Sequence, residues 1–170
     1  MPAANSVSEV RIVSLGLLLL RLIVGGLFVV HGYPKLLGGP ERPVSPEAAR
    51  YLGAGFVQAM QTGQAGFAEM LRGMGVPMPG VMAPVVGAVE FLGGLLLMLG
   101  WFTRLAAILL SADMVVAIRK VHWQNGLVAP AGSEFPLSLL GACLALFFTG
   151  PGKISVDALQ AIILRPFRRK

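Results

Sequence analysis

The chain has 170 residues, of which 55% are hydrophobic and only 13% carry a charge, and its mean hydropathy is +0.75. Soluble domains carry charge on about 25% of their residues, so the composition excludes an ordinary soluble domain. Because helices satisfy their own backbone hydrogen bonds in lipid, we expect a single all-α membrane domain over residues 1–170. The net charge of +6 does not indicate nucleic-acid binding, because basic residues commonly flank membrane helices.

The first apolar segment covers about residues 13–31 and is long enough to span a bilayer. It is followed by His-Gly-Tyr-Pro-Lys instead of a small-x-small cleavage site, so we expect a retained anchor rather than a signal peptide. Arg21 lies near its middle. A charge inside a membrane helix is costly, so Arg21 should face the bundle interior and have a partner.

A long connection follows, and residues 46–74 within it should form one or two amphipathic helices that lie on the membrane surface or cap the bundle. Ser45 is a good amino-terminal cap, because Pro46 and Glu47 come next. Apolar residues then recur at helical spacing, with a break at residues 63–66. A soluble loop helix is the alternative, but it leaves these apolar faces unburied.

Three further spans are predicted at about residues 81–99, 103–120 and 135–149, which gives a four-helix integral membrane bundle with an amphipathic insert. The last two have apolar cores of about 14 residues and need their flanks to cross the bilayer. A basic tail over residues 153–170 completes the chain. Four spans place both termini on one side, and the basic tail predicts that this side is the cytoplasm.

Glycines on the first two spans predict close helix packing, which is common between membrane helices. Gly25 and Gly26 lie on the first span. Pairs at seven-residue spacing follow on the second span, namely Gly87 with Gly94 and Gly93 with Gly100.

An ion pair between Arg21 and Glu90 is the first candidate for a functional feature. If His31 and Val81 mark the outer interface, Arg21 lies roughly 15 Å and Glu90 roughly 13 Å below it, at 1.5 Å per residue. Opposite charges at matched depth on antiparallel neighbours should pair. The pair either only specifies the bundle or also takes part in function, and the residues leave both interpretations open.

A second polar group gathers toward the outer side, where His31, Lys35, Asp113 and Glu134 fall. These residues predict a polar cavity that binds an anionic or quinone-like ligand, with His31 or Glu90 moving protons. The neighbouring residues 119–123 also include basic and aromatic side chains, and ordinary interfacial anchoring is the favoured interpretation of those.

Metal, haem and thiol chemistry find little support. No cluster has zinc-ligand spacing. The chain has two histidines, but apart from their number nothing favours haem ligation by them, so no metal site is predicted. Cys143 is the single cysteine and lies among Leu and Ala, which is typical of a core residue.

Taken together, the chain resembles the DoxX family of small four-helix bacterial membrane proteins, which includes the DoxD-type subunits. The likeness rests on LLLLRLIVGGLFVVHGYPKL at the first span, MGVPMPGVMAPVVGAVEFLGGLLLMLGWFTRLAA through the second span into the third, and the ending GKISVDAL. The family's recurring polar positions fall on Arg21, His31, Lys35, Glu90, Arg104 and Glu134.

The resemblance implies a subunit of the bacterial inner membrane that is associated with oxidoreductases, some of them linked to thiosulfate and quinone chemistry. No self-contained catalytic motif is present, so whether the chain is itself an enzyme is left open. We expect a cavity lined by Arg21, His31, Glu90 and Asp113 that binds quinone or a small oxyanion, with no covalently bound cofactor. Expected partners are the bilayer, redox proteins and further copies of the chain. A non-enzymatic scaffold that recruits redox enzymes, and a small transporter, are the alternatives.

Overall fold

The structure is a computed structural model that describes residues 3–128 and 131–164, and over these ranges it is helical with no strand. The helices, numbered in chain order, are α1 (Ala3–Leu37), α2 (Pro46–Gly73), α3 (Pro79–Leu99), α4 (Thr103–Ala117), α5 (Glu134–Thr149) and α6 (Val156–Ile163). α4 continues without a break into a π-helical turn, Ile118–His122, and a 3-10 turn, Trp123–Asn125. The all-α prediction is confirmed.

α1 and α3 form the most extensive helix pair of the bundle, and glycines bring their backbones together. A methyl group built on Gly25 would lie 2.6 Å from the carbonyl oxygen of Gly94, and one built on Gly32 would lie 2.9 Å from that of Gly87. The two helices are therefore antiparallel, with Gly25 level with Gly94 and Gly32 level with Gly87. Gly26, which was also predicted to pack, has no atom within 4 Å of a built methyl group.

α4 packs against α3 and α5, and the buried core lies among these helices and α1. Apart from Phe28, its fully buried members are small or branched, so the helices approach closely. They are Phe28, Leu97, Ala106, Ala107, Leu110, Cys143 and Leu146. Cys143 is thus a core residue. Many large apolar side chains remain exposed on α1, α3 and α4, as expected of surfaces that face lipid.

Two segments are long and apolar enough to cross a membrane, Ser8–Leu37 and Pro79–Leu99, whereas Glu134–Thr149 is apolar but shorter. The remaining two crossings, and with them the four-span count, stay predictions. α1 extends beyond the predicted residues 13–31 at both ends, since its 35 residues cover about 52 Å at 1.5 Å per residue, and the apolar segment within it is Ser8–Leu37.

α2 begins as the sequence predicts, because the Ser45 hydroxyl accepts a hydrogen bond from the backbone N–H of Ala48 at 3.2 Å. It is kinked where Gly53 and Gly63 adopt positive φ angles of 82° and 57°. Gly63 lies against the backbone of Gly38. This contact docks the second half of α2 on α1, and α2 also packs against α3.

Candidate functional site

Lys35 and Glu90 form an ion pair between α1 and α3. The Lys35 ammonium donates to both Glu90 carboxylate oxygens at 2.6 Å. Glu90 is only 4% exposed, so its charge depends on this partner. The glycine register places the pair, because a methyl group on Gly87 would lie 3.0 Å from the Lys35 Cβ atom.

Asp113 extends this pair from α4. Its carboxyl lies within hydrogen-bonding reach of Glu90 and in the electrostatic field of Lys35. Its Oδ2 atom is buried and has no hydrogen-bond partner among the described residues. Two acids and one ammonium therefore meet where three helices converge.

His31 and two aromatic rings border the charged groups. His31 lies one helical turn before Lys35, within the field of Glu90 and Lys35, and its ring centroid is 6.1 Å from that of Phe135 at the start of α5. The Lys35 ammonium lies 4.5 Å from the centre of the Phe67 ring of α2, which is a favourable cation–π distance.

A cavity of about 240 Å³ opens beside these groups. Its polar lining comprises His31, Lys35, Glu90, Asp113, Lys120 and His122. The rest is mainly aliphatic, aromatic and thioether surface, including Phe28, Phe67, Met70, Met74, Met114 and Phe135. Since an apolar cavity of about 150 Å³ holds benzene, this one has room for a single substituted ring but is smaller than the pockets of drug-sized ligands.

The π-helical turn after α4 forms one wall of this cavity, through Lys120, Val121 and His122. Such turns are rare and occur often at functional sites. His122 is held in place because its Nδ1 atom hydrogen-bonds the Ala131 carbonyl oxygen at 2.8 Å. The sequence interpretation of Lys120 and His122 as simple interfacial anchors therefore missed their position on the cavity wall.

α2 supplies the opposite wall through Phe67, Met70, Leu71 and Met74. The sequence marks these residues as the apolar face of an amphipathic helix, but periodicity does not show which surface that face covers. The insert is therefore part of the candidate site.

The predicted ion pair between Arg21 and Glu90 is wrong. Arg21 is completely buried, and its Nη2 donates to the Ile154 carbonyl oxygen. Its Nη1 lies against Gly100, at the turn between α3 and α4. Asp157, near the start of α6, is the charged group in its electrostatic field. Arg21 thus binds the chain after α5 and does not line the cavity.

The error lay in the assumed register of the two helices. His31 and Val81 were placed at one level, but Gly32 packs against Glu90 and Phe91, about nine residues further along α3. Nine residues correspond to roughly 13 Å. α1 continues to Leu37, so His31 does not mark the membrane boundary, and Lys35 rather than Arg21 reaches Glu90.

Asp157 organises the end of the bundle where Arg21 lies. Its carboxylate accepts hydrogen bonds from the backbone N–H groups of Phe102 and Thr103 at 2.9 and 3.1 Å, which caps α4. Its own N–H donates to the Gly100 carbonyl oxygen at 2.9 Å. This contact explains part of the GKISVDAL signature as a structural element.

Glu134 and Arg104, the other family-type polar positions, are exposed and do not line the cavity. Glu134 lies in the first turn of α5. The Arg104 side chain donates to the Phe148 carbonyl oxygen at 3.4 Å, near the carboxyl end of α5. The predicted basic tail is described only as far as residue 164, so its terminal arginines and Lys170 lie outside the described residues.

No group of three or more His, Cys, Asp or Glu residues with metal-binding geometry occurs within residues 3–128 and 131–164. His31, Lys35, Glu90 and Asp113 together offer proton donors and acceptors beside a mainly apolar space. This arrangement is suited to holding a small ring with oxygen substituents.

Comparison with known proteins places the chain in a family. The DoxX family model matches residues 16–123. An uncharacterized protein of Haemophilus influenzae is 32% identical over 81% of this chain and 85% of its own length. The Escherichia coli inner membrane protein YphA is 28% identical over 83% of this chain and 87% of its own. A Bacillus subtilis protein named "Putative oxidoreductase CatD" is 29% identical over 84% of this chain and 85% of its own.

No solved structure matches the chain. The family match extends from α1 to the 3-10 turn after α4 and therefore includes Lys35, Glu90 and Asp113. The chain is a membrane protein of the DoxX family.

Proposed function

We propose that this protein binds a small quinone-class ring in the cavity between α2 and α4 and exchanges protons with it, as the membrane component of a redox system. The observation that carries the proposal is the Lys35–Glu90–Asp113 cluster, in which Glu90 is buried and the other two are half-buried, on the wall of a mainly apolar, ring-sized space. An apolar pocket with a few convergent polar groups is the usual form of a small-molecule site.

Conversion between a quinone and its quinol moves two electrons and two protons. The carboxyl groups of Glu90 and Asp113, with His31 at the cavity edge, supply groups that hold and release protons. The electrons are exchanged with a redox protein that docks on the membrane component. The oxidoreductase name of the Bacillus subtilis relative agrees with a role of this class.

A small oxyanion is the less favoured ligand. The Lys35 ammonium is already bound by both carboxylate oxygens of Glu90, and Asp113 adds a further acid. An oxyanion bound beside Lys35 would have to compete with the Glu90 and Asp113 carboxyl groups for this one ammonium. Lys120 is the second cation of the cavity lining, and it is exposed at the cavity wall.

The proposal includes four crossings of the inner membrane with both termini in the cytoplasm. The continuous helix from Thr103 to Asn125 has 23 residues, which is close to a full span. The backbone N–H of Lys153 donates to the Ser14 hydroxyl at 3.3 Å. This hydrogen bond brings the chain after α5 to the first half of α1, as an even number of crossings requires.

Binding of duroquinone, a fully methylated benzoquinone, to the purified full chain in lipid nanodiscs tests the function by equilibrium dialysis. Ala117→Phe places a large ring in the cavity wall, and we expect at least a tenfold loss of affinity. Ala112→Phe, at an exposed position on the same helix, should retain affinity within about twofold. If neither duroquinone nor its reduced form binds the native chain or Ala112→Phe, the function is wrong, and partner proteins that still co-purify would favour the scaffold.

A further inference from the structure

Asp113 has hydrogen-bonding capacity that the protein leaves unused. Among the described residues, no N–H or O–H donor is hydrogen-bonded to its carboxyl group, and its Oδ2 atom is buried without a partner. Leaving a buried acceptor without a donor is costly, and in native structures such a group calls for an explanation. Asp113 lines the cavity, so a ligand there is in position to supply the donor.

Two of the neighbouring donors have partners other than Asp113. Lys35 gives two hydrogen bonds to Glu90 and faces the ring of Phe67. His122 directs its Nδ1 atom to Ala131. His31 and Lys120 also line the cavity, but among the described residues no donor is hydrogen-bonded to the Asp113 Oδ2 atom.

A carboxylate oxygen only accepts hydrogen bonds, so a ligand that satisfies the unpartnered Asp113 Oδ2 atom has to bring an N–H or O–H group of its own.

We infer that the cavity selects the reduced, hydroxyl-bearing form of its ring ligand, a hydroquinone or catechol, with one ring hydroxyl donating to Asp113. A quinone carries only carbonyl oxygens and would place an acceptor against this acceptor. A hydroquinone of the same size supplies the donor, and its ring contacts the apolar walls formed by Phe67, Met114 and Phe135. The inference rests on the proposed function and specifies which redox form its cavity holds.

The direction of proton movement follows from this arrangement. A hydroxyl bound to Asp113 is placed to give its proton to the Asp113–Glu90 pair when the ring loses electrons to an oxidised redox protein, and the second hydroxyl proton leaves through the cavity opening. Oxidation of the hydroquinone to the quinone releases two electrons and two protons in total. The proton taken up by the acids then leaves through the cavity opening as well, and the quinone is released because an ionised Asp113 offers it no hydrogen-bond donor.

The test compares durohydroquinone with duroquinone on the full chain in lipid nanodiscs, under anaerobic conditions and by equilibrium dialysis. The two molecules share a ring and four methyl groups and differ in the ring hydroxyls. We expect durohydroquinone to bind at least about tenfold more tightly, as expected where a site built for a hydroxyl meets an analogue that lacks it. Equal affinities, or tighter binding of duroquinone, would overturn the inference and leave the proposed function standing.

A variant pair assigns the preference to Asp113. Asp113→Asn adds an amide donor at the acceptor position, so the ratio of the two affinities should fall to within about threefold. Glu41→Gln removes an exposed acid from the loop before α2 and should keep the native ratio. Because the comparison of ligands on the native chain needs no variant, misfolding of Asp113→Asn leaves the inference testable. Failure of both molecules to bind would overturn the proposed function together with the inference.

Discussion

Gly100 turns the chain from α3 into α4 directly against the guanidinium of Arg21. The turn has a φ angle of 67°, and a methyl group built on Gly100 would lie 1.6 Å from Arg21 Nη1 and 2.6 Å from the Cβ atom of Ser155. The most buried charge of the described chain is therefore packed between a left-handed turn and the segment before α6.

Gly100→Ala should destabilise the protein by two effects. The left-handed conformation costs an alanine about 1–2 kcal/mol, and the displaced arginine loses its contacts. Gly75→Ala is the matched control, because Gly75 has a φ angle of 68° with no atom within 4 Å of a built methyl group. Thermal unfolding of both variants in detergent should show a midpoint lowered by several degrees more for Gly100→Ala. Equal decreases in the unfolding midpoint of the two variants would mean that the contact between Gly100 and Arg21 contributes nothing to stability.

Gly25→Ala should separate α1 from α3, because the added methyl group meets the Gly94 backbone at 2.6 Å. A backbone contact cannot be relieved by a rotamer change, so we expect a loss of about 1–3 kcal/mol. Gly26→Ala, at the next position, has open space and should be neutral or stabilising by up to about 1 kcal/mol through helix propensity. Unfolding of the two purified variants, compared with the native chain, measures this difference, and the opposite order would contradict the packing described above.

Lys35→Met should be strongly destabilising, since it leaves the buried Glu90 carboxylate without its cation. Breaking a buried ion pair by removing one partner costs about 3–5 kcal/mol. The double variant Lys35→Met/Glu90→Gln should recover a large part of this loss, because no unpaired charge remains. Arg72→Met breaks the exposed Arg72–Glu69 pair and should change stability little. A double variant no more stable than Lys35→Met would show that the two residues act independently.

Single-cysteine labelling decides the number of crossings. In a Cys143→Ala background, Gln124→Cys lies between α4 and α5 and Gln160→Cys lies on α6, and both positions are exposed. With four crossings, an impermeant maleimide should modify Gln124→Cys from outside intact cells and Gln160→Cys only after lysis. If α4 and α5 remain on one side, Gln124→Cys will stay unmodified until the cells are broken.

The bounds of α3 and α5 follow closely from the sequence because their signals are local, whereas α1 (Ala3–Leu37) exceeds the predicted residues 13–31 at both ends and α6 (Val156–Ile163) lies where only a basic tail was predicted. The prolines and glycines that end each apolar run fix the bounds of α3 and α5 within two residues of the prediction. The cap at Ser45 depends on its own neighbours in the chain. Gly25, Gly87 and Gly94 were also expected at helix contacts, which small residues favour in membranes.

The pairing of the charges could not be predicted from local signals. Which charge meets Glu90 depends on the register of α1 against α3, and that register is set by the glycine contacts over the whole interface. The position of α2 on the cavity is likewise a tertiary property. His31, Lys35, Glu90 and Asp113 all belong to the predicted cluster, but the sequence pairs Glu90 with Arg21 instead of Lys35 and adds Glu134. The pairing and the contribution of Phe67 required the structure.

The cap that Asp157 places on α4 has a consequence for biosynthesis. The backbone N–H groups of Phe102 and Thr103 have no side-chain acceptor nearby in sequence. Their acceptor, Asp157, is synthesised more than fifty residues later. Until the ribosome has passed Asp157, the amino end of α4 is uncapped and Arg21 lacks its carbonyl partner. Closure of the bundle at this end therefore cannot precede synthesis of residue 157, and a chain truncated before that residue lacks the cap on α4.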